Sequence, residues 1–376
     1  MAGIYLHIPF CKKACHYCDF HFSTSMKHKD AMLCAISKEL KLRSEELDGQ
    51  LIETIYFGGG TPSVLTVTEI ESLINDVRCN YNVTTSVEIT LEANPDDLTH
   101  SKIKELAESP INRLSIGVQS FFEEDLKMMN RAHTAKESLD CLRFATQYFN
   151  NISIDLIYGI PNMTHQRWLQ NLQRTFQLGI GHISSYALTI EENTALATFI
   201  ANKSYPPVDE NLALEHFNIL VAEVAKEGFV HYETSNFAKP GAFSKHNTSY
   251  WKGISYVGVG PSAHSFDGKR RAWNIANNTK YIKSIAQNVL PIEEEVLSVS
   301  DRYNEYIMTG LRTIFGISME KISEDFGVFY ESYLLTNSQV FLDKELLEFK
   351  DGIIKTTSKG KFLADGIASD LFYIED

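Results

Sequence analysis

The sequence has no run of eighteen apolar residues, so it predicts no membrane-spanning helix. Basic residues are outnumbered, with 35 Lys and Arg against 48 Asp and Glu and a formal net charge of −13. Broad nucleic-acid binding needs a basic surface, so this charge balance argues against that class of protein. The first residues also lack the charged and apolar regions of a secretory signal peptide. We therefore expect a globular protein that is not exported and binds no nucleic acid.

Cysteine is sparse as well, since the sequence has only six. Cys11, Cys15 and Cys18 fall within eight residues, at C-x3-C-x2-C spacing. Clustered reduced thiols fit a reducing compartment, so we expect a cytoplasmic location. The remaining cysteines stand alone within helical patterns and are expected to be small buried apolar residues. They are Cys34, Cys79 and Cys141.

Three thiolates on one short loop indicate a metal centre with an open position. A cluster of four irons and four sulfides is normally held by four cysteines, so three would leave one iron free for a small molecule. A zinc site completed by His7, His16 or His21 is one alternative, and unrelated free thiols are another. No second C-x2-C pair follows in the chain, which weighs against zinc.

Apolar runs that end in glycine, proline or polar residues recur through the first half of the chain. The first predicted strand covers residues 5–10, directly before the cysteine loop, and helical spacing separates it from the later runs. The later strands are predicted at 51–57, 87–92, 113–119, 152–158 and 182–188. Six strand–helix units are fewer than a closed barrel of eight units needs. We therefore expect an α/β fold with a partial, TIM-like (β/α)6 barrel and right-handed crossovers.

The strand–helix rhythm stops after residue 190. A long helix is predicted at 209–227, followed by an irregular stretch at 231–276 with short strands near 256–258 and 271–273. From about residue 300, helices and a hairpin with an Asp351–Gly352 turn resemble a winged helix, but without a dense basic face. The predicted domains are the barrel, 1–195, its extension, 196–298, and a mainly helical, winged-helix-like domain, 299–376, that packs against the barrel or a partner.

Polar and glycine residues mark the predicted strand ends, where α/β barrels carry their chemistry. The turn at 58–60 is Gly-Gly-Gly, which would let a ligand approach bare backbone N–H groups. Glu92 and Gln119 end two successive strands, and Asp155 lies inside another apolar strand. Beside a thiolate loop, this set favours one shared site over separate buried polar groups.

Four motifs together resemble those of the radical S-adenosylmethionine (SAM) enzymes. They are Y-x-H-I-P-F-C-x3-C-x-Y-C at residues 5–18, G-G-G-T-P at 58–62, S-I-G-V-Q-S at 115–120 and D-L-I-Y-G-I-P at 155–161. More narrowly, they are similar to the group that contains oxygen-independent coproporphyrinogen III dehydrogenases and heme chaperones. The resemblance covers nearly the whole chain.

The resemblance implies that Cys11, Cys15 and Cys18 ligate a 4Fe–4S cluster whose open iron is chelated by SAM. Arg131 could pair with a carboxylate in fork geometry, and Asp155 could accept from ribose hydroxyls. A surface salt bridge is the alternative for Arg131. The residues that match SAM contacts of the family are Tyr5, Tyr17, Gly59, Gly60, Thr61, Glu92, Gln119, Arg131, Asp155 and Ala187.

Three features favour the heme chaperones over the dehydrogenases, which decarboxylate coproporphyrinogen III oxidatively. Only four residues precede Tyr5, whereas the dehydrogenases carry an N-terminal extension. Phe20 stands where the dehydrogenases have a fourth cysteine, and residues 246–251 carry the H-N-x-x-Y-W motif of the chaperones. The resemblance thus implies a heme chaperone, with dehydrogenase or another radical SAM activity as the alternative.

The H-N-x-x-Y-W motif has a chemistry of its own. The His246 imidazole could ligate heme iron, with His264 as a second candidate, and Tyr250 and Trp251 offer flat faces to a porphyrin. Alternatively, His246 and Asn247 pin an irregular loop while Trp251 packs in the core. With heme as cargo, the implied partners are heme-accepting proteins, a second copy of the chain in a homodimer, and a membrane surface reached through the acceptors.

Overall fold

The structure is a computed structural model that describes residues 1–375. Within these residues, no helix is both long and apolar enough to cross a membrane. The first six strands are parallel neighbours in the central sheet, in chain order. They are β1 (Ala2–Ile8), β2 (Ile52–Gly59), β3 (Val83–Ala93), β4 (Arg113–Gln119), β5 (Ile152–Tyr158) and β6 (His182–Ala187).

Helices connect these strands, as the α/β pattern predicts. Thr66 and Thr134 begin two of the helices with capping boxes, in which each threonine side chain and a glutamate three residues later satisfy each other's backbone N–H. The helices are α1 (Lys29–Leu42), α2 (Val67–Asn80), α3 (His100–Glu108), α4 (Glu123–Met128), α5 (Ala135–Ala145) and α6 (His165–Gln177).

Alternation along the strands separates a polar face from an apolar face. On β1 and β2, Tyr5 lies opposite Tyr56, and the neighbouring Ile4 and Leu6 are fully buried on the other face. Because side chains alternate along a strand, the apolar residues pack under the helices while tyrosines and carboxylates share the inner face of the partial barrel. This arrangement confirms the α/β fold with a mainly parallel sheet.

The stretch 231–276, predicted as irregular, is largely ordered into short elements. The six strands between residues 230 and 296 extend the central sheet beyond both β1 and β6, so the sheet has twelve strands. Short strands with few alternating apolar residues give a weak sequence signal, which explains the difference. The elements between residues 195 and 296 are α7 (Ala195–Ala201), α8 (Glu210–Lys226), β7 (Val230–Glu233), β8 (Asn236–Ala238), α9 (Lys245–Trp251), β9 (Tyr256–Val259), β10 (His264–Phe266), β11 (Arg270–Asn274), α10 (Asn278–Ala286) and β12 (Ile292–Val296).

A buried carboxylate joins this extension to the barrel. Glu39 on α1 is fully buried and accepts hydrogen bonds from Arg43 Nη1 (3.1 Å), the Gly260 amide (2.8 Å), Asn274 Nδ2 (2.7 Å) and the Tyr281 hydroxyl. A buried charge is tolerated when it is paired and hydrogen-bonded in this way. The network therefore fixes β9 to β11 and α10 against α1.

The C-terminal region has a hydrophobic core of its own around Tyr303, Ile307 and Leu334. Its three strands are β13 (Ile317–Ser318), β14 (Leu347–Lys350) and β15 (Ile353–Thr356), and they form a small antiparallel sheet in the order β13, β15, β14. The turn between β14 and β15 contains Asp351 and Gly352, as predicted. The helices are α11 (Val299–Leu311), α12 (Met319–Phe326), α13 (Val328–Asp343) and α14 (Ala364–Asp370).

The isolated cysteines differ from expectation at two of three positions. Cys141 is buried in α5, but Cys34 and Cys79 are exposed on α1 and α2. The prediction of buried residues was wrong for these two because helical spacing alone does not fix which side of a short helix carries a small residue.

Candidate cofactor and cargo site

The cysteine loop leaves the carboxyl end of β1 and is held by contacts from distant segments. The Cys11 amide donates to the Ser23 carbonyl oxygen (3.0 Å), and the His16 amide donates to that of Met129 (3.1 Å). Lys12 forms salt bridges with Asp96 (3.2 Å) and Asp97, just beyond the end of β3. The loop therefore has a defined shape at the strand-end rim predicted for the site.

The three thiols lie close enough to influence one another. Burial raises the pKa of Cys11, and it raises the pKa of Cys18 to about 11, with further upward contributions from the charges of the neighbouring cysteines. A cationic centre would relieve the repulsion among the thiolates, so the donor set fits an iron–sulfur cluster. No three His, Cys, Asp or Glu side chains within residues 1–375 converge on a single ion. Cluster cysteines bind separate irons and do not need such convergence.

The histidines considered as a fourth zinc ligand are engaged elsewhere. His7 contacts the Tyr5 hydroxyl through Nδ1 (3.3 Å) and the His21 carbonyl oxygen through Nε2 (3.0 Å). His16 Nδ1 bonds the Met128 carbonyl oxygen (2.9 Å), and His21 Nε2 bonds Asn278 Oδ1 (2.7 Å). Both ring nitrogens of His7 are thus engaged, which removes His7 as a zinc ligand, whereas His16 and His21 each use only one ring nitrogen.

The glycine turn after β2 packs tightly against the cysteine loop. Gly59 has a φ of 103°, and a Cβ there would lie 2.6 Å from the His7 ring. A Cβ at Gly60 would lie 2.7 Å from the Phe10 carbonyl oxygen. The amides of Gly60 and Thr61 donate to the carbonyl oxygens of Ile8 (2.9 Å) and Phe10 (2.7 Å). These two N–H groups are thus not bare, because they anchor the loop.

Arg131 brings the cysteine loop and the strand ends together. Its guanidinium donates to Cys15 Sγ (3.4 Å), the Tyr17 hydroxyl (3.4 Å), Asn94 Oδ1 (2.6 Å) and the Gly117 carbonyl oxygen (2.7 Å). Its Nε atom is buried without a partner, and no salt bridge to Arg131 forms within residues 1–375. Arg131 therefore does not form the surface salt bridge that is the alternative interpretation of this residue. A buried cation without a carboxylate suits an anionic ligand.

Carboxylates and an amide line the inner face beside this arginine. Burial raises the pKa of Glu92 to about 7, assisted by the charge of Asp155, while the Tyr56 hydroxyl donates to Glu92 at 2.7 Å. Asp155 accepts from the Ser115 hydroxyl at 3.4 Å, and burial raises its pKa. Gln119 has a left-handed φ of 64° and packs over Gly117. Strain of this kind concentrates at functional sites.

Ala187 ends β6, in register with Tyr158 of β5. The preceding Tyr186 is 46 % exposed as a residue, but burial of its hydroxyl raises the pKa of that group, with smaller contributions from the charges of Asp155 and Glu92. Tyr186 therefore lies between the strand-end carboxylates and the open side of the barrel.

The H-N-x-x-Y-W motif lies on a helix, α9, and not in an irregular loop. Ser244 caps it by accepting from the Asn247 amide (3.2 Å), and Glu88 on β3 accepts from the amides of Lys245 (3.2 Å) and His246 (3.1 Å). A carboxylate is favourable at this helix end because it complements the unpaired N–H groups. Glu88 thus fixes α9 to the inner face of β3.

His246 is turned into the protein. It is 3 % exposed, its Nδ1 contacts Thr54 Oγ1 at 2.8 Å, and burial lowers its pKa to about 3. Its Nε2 has no hydrogen-bond partner among residues 1–375. The imidazole is therefore neutral, and its contact with Thr54 anchors the helix α9 to β2. The second candidate, His264, is exposed at the start of β10.

A cavity of about 590 Å³ opens between α9, the sheet extension and the C-terminal domain. Asn247, Tyr250 and Trp251 line it, but His246 and His264 do not. Other aromatic rings share the wall, contributed by both domains: Tyr186, Tyr256, Phe266, Tyr306 and Phe326. The motif thus presents two flat side chains and one amide to an aromatic chamber.

Several residues of this site carried no motif signal. Tyr56 and Thr54 contact His246 and alternate with apolar residues along β2. This two-residue alternation is a sequence signal that both side chains face the inside of the barrel. The cavity residues on α11 and α12 have no comparable signal, because they reach the site only through packing of the second domain.

Comparisons with known proteins agree with this geometry. Residues 5–174 match the Radical SAM superfamily, and residues 297–363 match the HemN C-terminal domain. The coproporphyrinogen III oxidase HemN from Escherichia coli has the same fold, with a TM-score of 0.86 and 23 % identity over 99 % of this chain and 90 % of that one.

Curated relatives of similar length are named heme chaperone HemW. The protein from Lactococcus lactis subsp. lactis is 32 % identical over 374 residues, which cover 99 % of this chain and 97 % of the relative. The Bacillus subtilis protein is 31 % identical over 372 residues and 98 % of each chain. With its motifs, its two matched domains and this similarity along nearly its whole length, the chain belongs to the HemW family of the radical SAM superfamily.

Proposed function

We propose that this chain is a heme chaperone, which binds heme in the cavity beside α9 and passes it to acceptor proteins. The aromatic chamber of about 590 Å³ carries the proposal, because Tyr250 and Trp251 of the H-N-x-x-Y-W motif line it. Its size lies within the range of cofactor pockets, roughly 300–1,000 Å³. Flat aromatic side chains stack favourably on a planar macrocycle. The HemW name of the relatives supports heme as the cargo.

The cofactor site is proposed to hold a 4Fe–4S cluster on Cys11, Cys15 and Cys18, with SAM beside it. When bound, such a cluster supplies one-electron chemistry to SAM. Arg131 would hold the SAM carboxylate, since its buried charge has no carboxylate partner within residues 1–375. The other proposed SAM contacts lie on strands β1 to β6 or on the segments that follow them: Tyr5, Tyr17, Gly59, Gly60, Thr61, Glu92, Gln119, Asp155 and Ala187.

His246 is proposed to support the cavity wall from behind. The ring is neutral and has a free Nε2, so it could ligate iron only if α9 moved and exposed it. Asn247, Tyr250 and Trp251 need no such movement to contact heme. We assign the direct contacts to these three residues.

The partners are proposed to be cytoplasmic or membrane-associated heme acceptors and a second copy of the chain. Phe20, two residues after Cys18, is 70 % exposed, which supports a protein contact near the cysteine loop. Such a contact would place a partner beside the proposed cluster.

Anaerobic heme titration followed by Soret absorbance tests the proposal. Trp251→Ala should weaken heme binding about tenfold, because it removes a stacking face. Trp273→Ala is the matched control, since Trp273 lies on β11 and does not line the cavity. Heme-loaded protein should then transfer heme to an apo-acceptor.

Two results would contradict this function. One is wild-type protein that does not bind heme. The other is reconstituted protein that decarboxylates coproporphyrinogen III, which would identify the dehydrogenase activity instead.

A further inference from the structure

The cavity wall is positively charged although the chain as a whole has a net charge of −13. Five cationic side chains face three carboxylates, a surplus of two positive charges. The cations are Lys252, Arg271, Arg302, Arg312 and Lys321, and the carboxylates are Glu233, Glu305 and Asp325. The cavity therefore attracts an anionic ligand in an otherwise acidic protein.

Salt bridges account for three of the five cations. Arg271 pairs with Glu305 (2.8 Å), and Lys321 pairs with Asp325 (2.5 Å). Arg312 pairs with Glu233 (3.1 Å) and also with Asp365 (2.7 Å), which does not line the cavity. Each wall carboxylate is thereby matched, so the surplus charge belongs to the remaining two cations.

Those two cations are Lys252 and Arg302. Lys252 is exposed, and its Nζ lies 4.4 Å from the centroid of the Phe315 ring. Arg302 is half-buried, and its side chain forms no salt bridge or hydrogen bond with any residue in 1–375. Arg302 is thus a guanidinium in a pocket wall whose donors are available to a ligand.

The position of Arg302 on α11 is well fixed. Ser298 and Asp301 form a capping box at the start of this helix, and the neighbouring Tyr303 is fully buried in the core of the C-terminal domain. A binding group on a rigid element loses little freedom when its ligand arrives. Tyr250 and Trp251 reach the same cavity from α9, in the other domain.

We propose that Arg302 binds a propionate carboxylate of the heme held against Tyr250 and Trp251, with Lys252 near the second propionate. This inference rests on the proposed function and adds the C-terminal domain as the part that recognises the carboxylates. Arginine presents paired N–H donors that match a carboxylate in fork geometry, which gives both charge and orientation. Two cations without a salt bridge in residues 1–375 match the two propionates of heme in number.

The test compares heme with its dimethyl ester, in which both carboxylates are blocked. Soret titrations of the full-length protein would use wild type, Arg302→Gln, Arg302→Lys and Arg143→Gln. Arg143 is an exposed arginine on α5 that does not line the cavity, so it controls for the loss of one charge.

We expect Arg302→Gln to raise the Kd for heme roughly tenfold and to leave the Kd for the ester within about twofold of wild type. Arg302→Lys should retain part of the affinity because it keeps the charge but not the fork. Arg143→Gln should match wild type with both ligands.

Three outcomes would overturn the assignment of Arg302 while leaving heme binding intact. They are unchanged heme affinity in Arg302→Gln, equal weakening for heme and ester, and wild-type protein that binds the ester as tightly as heme. The last comparison needs no variant, so it decides the question even if a substitution disturbs folding. Wild-type protein that binds no heme would overturn the proposed function as well.

Discussion

The His246 imidazole stacks on the Tyr56 ring, with 4.7 Å between the ring centroids and 21° between the planes. Tyr56 in turn lies 6.0 Å from Tyr5 and donates its hydroxyl to Glu92 at 2.7 Å. The helix that carries the H-N-x-x-Y-W motif is therefore in direct contact with the inner face of the barrel. Side-chain contacts from His246 through Tyr56 to Tyr5 and Glu92 therefore connect the helix of the proposed heme wall to the proposed SAM site.

Replacement of His246 by alanine should lower stability without changing the heme spectrum. The variant loses the contact with Thr54 and the stack on Tyr56, which together should cost about 2–3 kcal/mol of unfolding free energy. Urea unfolding measures the loss, and the Soret maximum of the heme complex reports the iron ligand. His264→Ala, at an exposed position, is the control. A displaced Soret maximum in His246→Ala alone would instead make His246 the iron ligand.

The barrel and its cysteine loop could be predicted from sequence because their signals are local. Each strand of the barrel is an apolar run that ends at a polar or glycine residue, and all six lie within a few residues of their predicted bounds. The cysteine spacing marks a cluster loop within eight residues. Local patterns of this kind need no knowledge of the rest of the fold.

The cavity could not be predicted, because it depends on contacts between distant segments. The α9 helix has only seven residues, and Glu88, which holds it, lies 157 residues before Lys245. Arg302 reaches the cavity through packing of the second domain. No short-range periodicity encodes either relationship. The sequence therefore identifies the H-N-x-x-Y-W motif but predicts neither the cavity wall around it nor the burial of His246.

Removal of the buried carboxylate at Glu39 should destabilise the whole barrel. Glu39→Ala removes the fully buried one of the two carboxylates that pair with Arg43 and also removes the acceptor of Asn274 and Tyr281, a loss of about 3–5 kcal/mol. Glu46→Ala is a matched control, because Glu46 pairs with the same arginine but its side chain is 39 % exposed. We expect it to cost less than about 1 kcal/mol. Similar urea midpoints for the two variants would contradict this role of Glu39.

Loss of any one loop cysteine should abolish the cluster. Cys11→Ala, Cys15→Ala or Cys18→Ala leaves two thiolates, so reconstituted protein should lose most of its iron and its broad visible absorbance. The double variant Cys34→Ala, Cys79→Ala keeps the loop and removes the two exposed thiols, so it should retain full iron. Iron analysis and absorbance would measure both. Full iron in all three loop variants would refute the proposed ligand set.

Glu92 should give the protein a pH-dependent stability that Glu92→Gln removes. Its pKa is raised to about 7 in the folded protein, chiefly by burial, from an ordinary value of 4.5. Between pH 4.5 and about 7 the folded state keeps a proton that the unfolded state releases, so the stability falls as the pH rises through this range. Above this range the Glu92 contribution no longer changes with pH. The expected loss from pH 4.5 to 7 is about 2–3 kcal/mol.

Urea unfolding at pH 5.5, 6.5 and 7.5, without added SAM, would follow this slope. Glu92→Gln keeps the Tyr56 hydrogen bond but cannot ionise, so its stability should be flatter across the series. Asp155→Asn is the informative companion, because the charge of Asp155 helps to raise the pKa of Glu92. In Asp155→Asn, the pH range over which the unfolding free energy falls should lie at lower pH than in wild type. Parallel curves for wild type and Glu92→Gln would show that another group titrates in this range.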